Sequence, residues 1–332
     1  MAAAGVELLA GLDRLAVLGF AEVVRHLPDL LRLRREVREF ILRENVDLLV
    51  PIDYPGFNLP LAEWTHQRGI PVIYYIAPQV WAWHESRARR LARIADEVCV
   101  VLPFETAFLE SYGANARFVG HPLLDRTSSQ TPGKRDPAVT RGVPVLGLFP
   151  GSRAQEVRRM LPEFLDAAGR LAVAIPGLKI LVARSADLPE SLFESCPEGS
   201  VSNPEAVASE ATAAITKSGT ITLQLALADV PMVVGYRVNA LTASIARRLL
   251  RIPHIALVNL AAERGGVPER IQTEMTGEGL AAAVAPLLEF GSAERNAILD
   301  GLDEVRSLLG EPGAADRVAD VCVTALATDA GS

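Results

Sequence analysis

Apolar residues fall along the chain in short runs separated by longer amphipathic stretches. VDLLVPID (46–53), PVIYYIAP (71–78), ADEVCVVLP (95–103), ARFVGHP (116–122), PVLGLFPG (144–151), LKILVA (178–183), ATAAITKSG (211–219) and PMVVGYRV (231–238) are near-continuous apolar runs of strand length. Between them, FNLPLAEWTHQRG, VRRMLPEFLDAAGRLAVAI and LTASIARRLLRI repeat their apolar positions with helical spacing. Strands apolar on both faces, alternating with helices, predict parallel sheets covered on both sides. The fold class expected is α/β, with two Rossmann-like domains facing a cleft. One stretch breaks the pattern: DRTSSQTPGKRDPAVTRGVP (125–144) is rich in Pro, Gly, Ser, Thr and charge and has no apolar period. The organisation expected is a first domain over 1–130, a linker at 131–143, a second domain over 144–310, and a C-terminal helix within 311–332 that packs back on the first domain. The chain opens with a helical pattern in place of a strand and glycine-rich turn, so the first domain reads as lacking its first βαβ unit.

Composition narrows the function classes. The 332 residues are 49% apolar and 22% charged, which is globular rather than disordered. A net charge of −7 argues against nucleic-acid binding through bulk basicity. Cys99, Cys196 and Cys322 lie far apart with no CxxC, which fits a reducing compartment and gives no zinc signal. No run approaches the roughly 18–20 apolar residues of a spanning helix. The start, MAAAGVELLAGLDRLAV, has no basic n-region, so the expectation is a cytoplasmic protein.

In open parallel sheets ligands bind beyond the carboxyl ends of the strands, and the candidate chemistry falls there. Asp53, just past an apolar run, is either a general base or a turn or helix-cap aspartate before Pro55. In FPGSRAQEV (149–157) a strand meets a helix through a Pro-Gly turn; Ser152 with Gln155 makes a capping box, while free N–H groups and Arg153 would also hold a phosphate. KSGTITLQ (217–224) repeats the device, with Ser218, Gly219 and Thr220 small enough for a backbone to approach a diphosphate. There is no GxGxxG, no GxxxxGK[ST], no GxSxG and no DxD, which disfavours a dinucleotide dehydrogenase, a P-loop enzyme, an α/β-hydrolase and a metal-bridged diphosphate. The five histidines have no metal spacing; His121 in VGHP either lines the cleft or is a buried structural histidine. In FAEVVRHLPDLLRLRREVREF (20–40), Val23, Val24, Leu27, Leu30 and Leu31 recur at helical spacing among arginines, as on a helix lying on an anionic membrane or on an ordinary core-facing helix. PQVWAWHESR (78–87) sets Gln79, Trp81 and Trp83 at a strand end.

The order of IDYPGFN, GIPVIYYIAPQVWAW, VLPFE, FVGHPLLD, LFPGSRAQEV, SGTITL, PMVVGYRV and NLAAERGGVPE closely resembles the lipid-A-disaccharide synthase family, from about residue 14 into the C-terminal region. The resemblance implies a glycosyltransferase of the two-Rossmann-domain (GT-B) type. Such enzymes transfer 2,3-diacylglucosamine from UDP to 2,3-diacylglucosamine 1-phosphate, with inversion and without a metal or other cofactor. It implies peripheral association with the inner face of the inner membrane, through an anionic surface, and allows a homodimer. Carried over by residue, Asp53 is the catalytic aspartate and Arg153 the essential arginine. Ser152, Ser218, Gly219, Thr220, Gln224, Asn259 and Arg264 lie on the nucleotide side. Gln79, Trp81, Trp83 and His121 lie on the acceptor and lipid side, and the helix at 20–40 is the membrane-facing element. Departures from the family pattern are Gly56 in place of a second aspartate, Gln224 in place of a glutamate, Glu263 and Gly265 in exchanged order, His84-Glu85 after WAW, and the missing GExSGD turn. They leave as alternatives a fragmentary or inactive nucleotide- or lipid-binding remnant and, more distantly, a UDP-sugar epimerase on the same fold.

Overall fold

The computed structural model describes residues 5–11, 20–79, 81, 85–127, 142–238, 254–262 and 266–329. The chain divides into two compact units, Met1–Val119 with Ala315–Ser332, and Gly120–Ala314. Each is built on a parallel sheet and has a Rossmann-like α/β arrangement.

The first unit runs α1 (Phe20–Arg43), α2 (Pro55–His66), β1 (Ile73–Tyr75), α3 (Glu85–Ile94), β2 (Glu97–Val100), α4 (Pro103–Glu110) and β3 (Ala116–Phe118). The strands lie in the order β1-β2-β3, with Tyr74 opposite Val98 and Cys99 opposite Arg117. Tyr74, Val98 and Val100 are fully buried, and Leu59 and Ala62 of α2 with Ala88 and Leu91 of α3 complete their core. Each large apolar side chain buried in this way contributes about 1.5–3 kcal/mol. On α1, Leu33 and Ile41 face inward at 3% exposure, and the Arg38 guanidinium ties the helix to α2 by donating to the Pro60 carbonyl at 3.2 Å.

The run at 46–53, expected as a strand, lies beside β1 but pairs only through isolated parallel bridges, Leu49 with Val72 and Ile52 with Tyr75. Pro51 accounts for the interruption. Its carbonyl accepts from Tyr75 N at 2.9 Å, but it has no N–H with which to continue the ladder.

The second unit contains α5 (Leu123–Thr127), β4 (Val145–Phe149), α6 (Ala154–Ala174), β5 (Lys179–Ala183), β6 (Val201–Ser202), α7 (Pro204–Glu210), β7 (Ala213–Thr216), α8 (Ile221–Leu227), β8 (Met232–Tyr236), α9 (Leu257–Ala261), β9 (Glu269–Ile271), α10 (Gly277–Leu288) and α11 (Ala293–Leu308). Its six strands are all parallel, in the order β6-β5-β4-β7-β8-β9. The chain builds outward from β4 to β6, then returns to the other side of β4 with β7. At that reversal successive crossovers leave in opposite directions, which opens a crevice beyond the strand ends. Strands β6 and β9 are additions to the expected set: two residues and the half-buried sequence Glu-Arg-Ile give no apolar run to read. The segment LTASIARRLLRI and all of the expected linker except residues 142 and 143 lie outside the described residues.

The last helix, α12 (Ala314–Asp329), belongs from Ala315 onward with the first unit, where Arg317 Nε donates to the Val119 carbonyl at 2.8 Å.

Candidate functional site

Phe149 ends β4 and Thr216 ends β7, and the two are in register, so the turns that follow them are neighbours at the reversal of the sheet. Lys217 N donates to the Phe149 carbonyl at 3.0 Å and locks the turns together. The expected Ser152–Gln155 capping box is not formed. The cap residue of α6 is Arg153, extended and making no side-chain cap, so the helix begins one residue later than that box requires. Glu156, in the first turn, reaches back instead. Its Oε2 accepts from Ser152 N at 3.1 Å, and its Oε1 accepts from Lys217 Nζ at 3.1 Å and Arg153 Nη1 at 3.4 Å. A carboxylate here also complements the positive end of the helix. The Glu156 and Lys217 side chains are 14% and 17% exposed, whereas Arg153 is 51% exposed. Gly151 makes the arrangement possible: its φ is +128°, and a Cβ there would lie 2.5 Å from Glu156 Oε2. Tyr236, at the end of β8, belongs to the same neighbourhood. Burial raises its pKa, the Glu156 charge adds to the rise, and Arg153 opposes it.

In the second turn Ser218 Oγ donates to the Ile255 carbonyl at 2.6 Å, holding the segment that leads into α9. Thr222 Oγ1 donates to the Gly219 carbonyl at 2.8 Å, while Thr220 is exposed and caps nothing. Gln224 is half-buried on α8. Asn259 is only 2% exposed and its amide is fully engaged. Nδ2 donates to the Val267 carbonyl at 2.9 Å and to Glu269 Oε1 at 2.8 Å; Oδ1 accepts from Gly266 N at 3.1 Å and Val267 N at 2.9 Å. It shapes the loop beside the second turn. Arg264 lies outside the described residues.

In the first unit, Asp53 and Tyr54 are consecutive left-handed residues, with φ of 47° and 43°. Such non-glycine residues cost about 1–3 kcal/mol each and persist only where their surroundings impose them. Here Asn58 Nδ2 donates to the carbonyls of Ile52 (3.0 Å) and Asp53 (2.7 Å), Tyr74 Oη donates to the Asp53 carbonyl at 2.9 Å, and Asp53 N donates to the Tyr75 carbonyl at 2.9 Å. The cap position of α2 is Tyr54, so the helix-cap reading of Asp53 is overturned. Its carboxylate is exposed and has no hydrogen-bond or ion-pair partner among the described residues. The buried Tyr74 phenol is pushed above its ordinary range, first by burial and then by the Asp53 charge, with Arg87 opposing.

Gln79 is exposed, and Trp81 is half-buried. The Trp81 indole N–H donates to Glu105 Oε1 at 3.1 Å, and its ring meets Phe104 edge-on at 5.2 Å. Glu105 is 2% exposed and also accepts from Leu102 N at 3.0 Å and Val101 N at 3.3 Å. Burial pushes its pKa up to about 7 against those three donors. Trp83 lies outside the described residues. His121, in the second unit, is buried; its Nδ1 accepts from Leu123 N at 3.2 Å at the start of α5, and burial lowers its pKa to about 4. That is the structural histidine of the two readings. On α1, Leu27 and Leu31 are 47% exposed and Leu30 is half-buried; the side chains of Val23 and Val24 lie outside the described residues. Among the described residues, no group of three or more His, Cys, Asp or Glu is placed to hold a metal ion, and no helix is long and apolar enough to cross a membrane.

Glu156, Lys217, Tyr236, Asn58 and Glu105 were not among the expected site residues. Glu105 had a local signal, Pro103 at the first helical position and an acid two residues on. Glu156 and Lys217 are far apart in the chain, and only the pairing of β4 with β7 brings them together.

A sequence model of the family described as lipid-A-disaccharide synthetase matches residues 1–311. The chain is 39% identical over 329 residues to a lipid-A-disaccharide synthase of Anaeromyxobacter dehalogenans (strain 2CP-C), covering 96% of this chain and 85% of that one. It is 37% identical over 330 residues to one from Myxococcus xanthus (strain DK1622), covering 96% and 86%. Its backbone is similar to UDP-GlcNAc 2-epimerase from Neisseria meningitidis bound to UDP-GlcNAc, with a TM-score of 0.61 over 93% of this chain and 83% of that one. At 11% identity that likeness is one of fold alone.

Proposed function

The chain belongs to the lipid-A-disaccharide synthetase family, and from that premise we propose that it joins two acylated glucosamines. The 2,3-diacylglucosaminyl group passes from UDP to the 6-hydroxyl of 2,3-diacylglucosamine 1-phosphate. Asp53 takes the hydroxyl proton, the oxygen attacks the anomeric carbon from the face opposite UDP, and the bond to the β-phosphate breaks with its electron pair going to UDP. An exposed carboxylate with no partner among the described residues, held on a strained and clamped backbone, suits a base that must meet an incoming hydroxyl. Charge developing on the departing diphosphate is met by Arg153 and the first-turn N–H groups of α6. Protein groups thus do the work that a metal does in other transferases.

The observation that carries this reading is the meeting of two βα turns, with Arg153 and Lys217, where the strand order of the second sheet reverses. Trp81 and Gln79 supply flat apolar surface and an amide on the acceptor side. Leu27 and Leu31, exposed beside Arg32 and Arg35, support docking of α1 on an anionic membrane surface, at the cytoplasmic face where the lipid substrates lie. The deciding experiment is disaccharide formation by the purified chain, given both substrates and no added metal. Product is expected. A folded chain that binds UDP yet makes no product would overturn the transferase reading.

A further inference from the structure

We propose that Lys217 is a further phosphate-contacting residue of this reaction, and that Glu156 is an internal anion that competes with the diphosphate for it. The proposal rests on the nucleotide reading above and deepens it. Lys217 is the last residue before the second turn, and its ammonium reaches both turns. It is 3.1 Å from Glu156, which is held against the first turn, and a Cβ on Gly219 in the second turn would lie 3.0 Å from it. Among the described residues Glu156 is the one hydrogen-bond partner of the Lys217 ammonium.

The same carboxylate serves Arg153 and the Ser152 N–H, so a single negative charge is shared between two cations and a backbone donor. A diphosphate carries at least two negative charges and several acceptor oxygens, and it can satisfy all three donors together. Glu156 cannot stay on the lysine at full strength while that happens, because two anions would then meet at low exposure, where Coulomb repulsion is weakly screened. Nor does Glu156 have room to retreat toward the turn, where Gly151 lacks a side chain because the carboxylate fills that space. It must let go of Lys217 toward solvent. Free UDP carries more charge than UDP in a sugar ester, so this competition acts most strongly on the product and favours its release.

Calorimetric titration of the full chain with UDP and with uridine tests the proposal. K217M is expected to weaken UDP binding about ten-fold, and E156Q to tighten it roughly three- to ten-fold, with uridine affinity unchanged in both. In the double variant the gain from E156Q disappears, since the contested lysine is gone. K217R, which keeps the charge, retains most of the affinity, and thermal melts confirm that each variant is folded. UDP affinity indifferent to K217M, or weakened by E156Q, would overturn the proposal alone. A parent chain that binds no UDP would overturn the nucleotide reading itself.

Discussion

A pair of left-handed residues at Asp53 and Tyr54 is held by the amide of Asn58 and the hydroxyl of Tyr74, so the backbone that presents the carboxylate is fixed from outside the turn. Asp53→Ala removes the proposed base and leaves that clamp intact, because every clamping bond is made to main-chain atoms. Turnover is expected to fall by about 10²-fold or more while UDP affinity is unchanged, as read by steady-state rates and calorimetry. If UDP affinity fell in parallel, Asp53 would be a structural residue. His121 and Glu105 give a second test at this scale. The folded pKa of His121 is lowered to about 4, so the unfolded chain binds the extra proton and stability drops as pH falls from about 6.5 toward 4. His121→Asn keeps an acceptor for Leu123 N and removes the titration. Its unfolding free energy should be flatter over that window, by on the order of 3 kcal/mol at pH 4. Glu105 has the opposite sign. With a folded pKa pushed up to about 7, the folded chain holds the extra proton, so this group's contribution declines as pH rises from about 4.5 to 7. Comparing His121→Asn with the parent separates the two. Asp53 and Arg153 were legible in the sequence because a polar residue closing an apolar run marks a strand end. Asn58 and Glu156 were not, since their partners are chosen by how the backbone turns.

Among the elements, α1 buries apolar side chains in its middle and last turns and leaves two exposed nearer its start. Leu33 and Ile41 are buried, whereas Leu27 and Leu31, one turn apart, stand in solvent on the same side of the helix. The proposed docking of these leucines and the neighbouring arginines on an anionic lipid surface would be opposed by negative charge placed at the leucine positions. L27E/L31E is expected to lower co-sedimentation with phosphatidylglycerol vesicles several-fold at unchanged thermal stability; equal vesicle binding would rule out α1 as the docking element. Seven of the eight expected runs form strands of the two sheets and read plainly as apolar runs of strand length. The run before Asp53 pairs less than its composition suggests because of Pro51, and β6 and β9 pair more than theirs suggests because a neighbouring edge was available. The start of α6 was misplaced by one residue, which moved the role of the reaching side chain from Gln155 to Glu156. Periodicity locates a helix well but its first turn poorly.

For the molecule as a whole, the proposed nucleotide site draws its residues from one unit alone. Saturating UDP should slow hydrogen exchange at the amides of 152–156 and 217–222 and leave β1, β2 and β3 unchanged. Protection confined to those strands instead would place the nucleotide in the other unit. The α/β class was legible because strands buried on both faces have no polar alternation to confuse with anything else. The strand order was not, since which edge a new strand joins is decided by the crossover and not by the strand. That order also sets a timetable. Residues 150–153 are synthesised well before residues 217–220, and α6, β5, β6 and α7 come between them. The two turns become one site only when β7 slides in beside β4, a pairing between distant parts of the chain that forms slowly relative to local structure. On the proposed reading, a growing chain therefore has no complete nucleotide site until the second turn has left the ribosome and the centre of the sheet has closed.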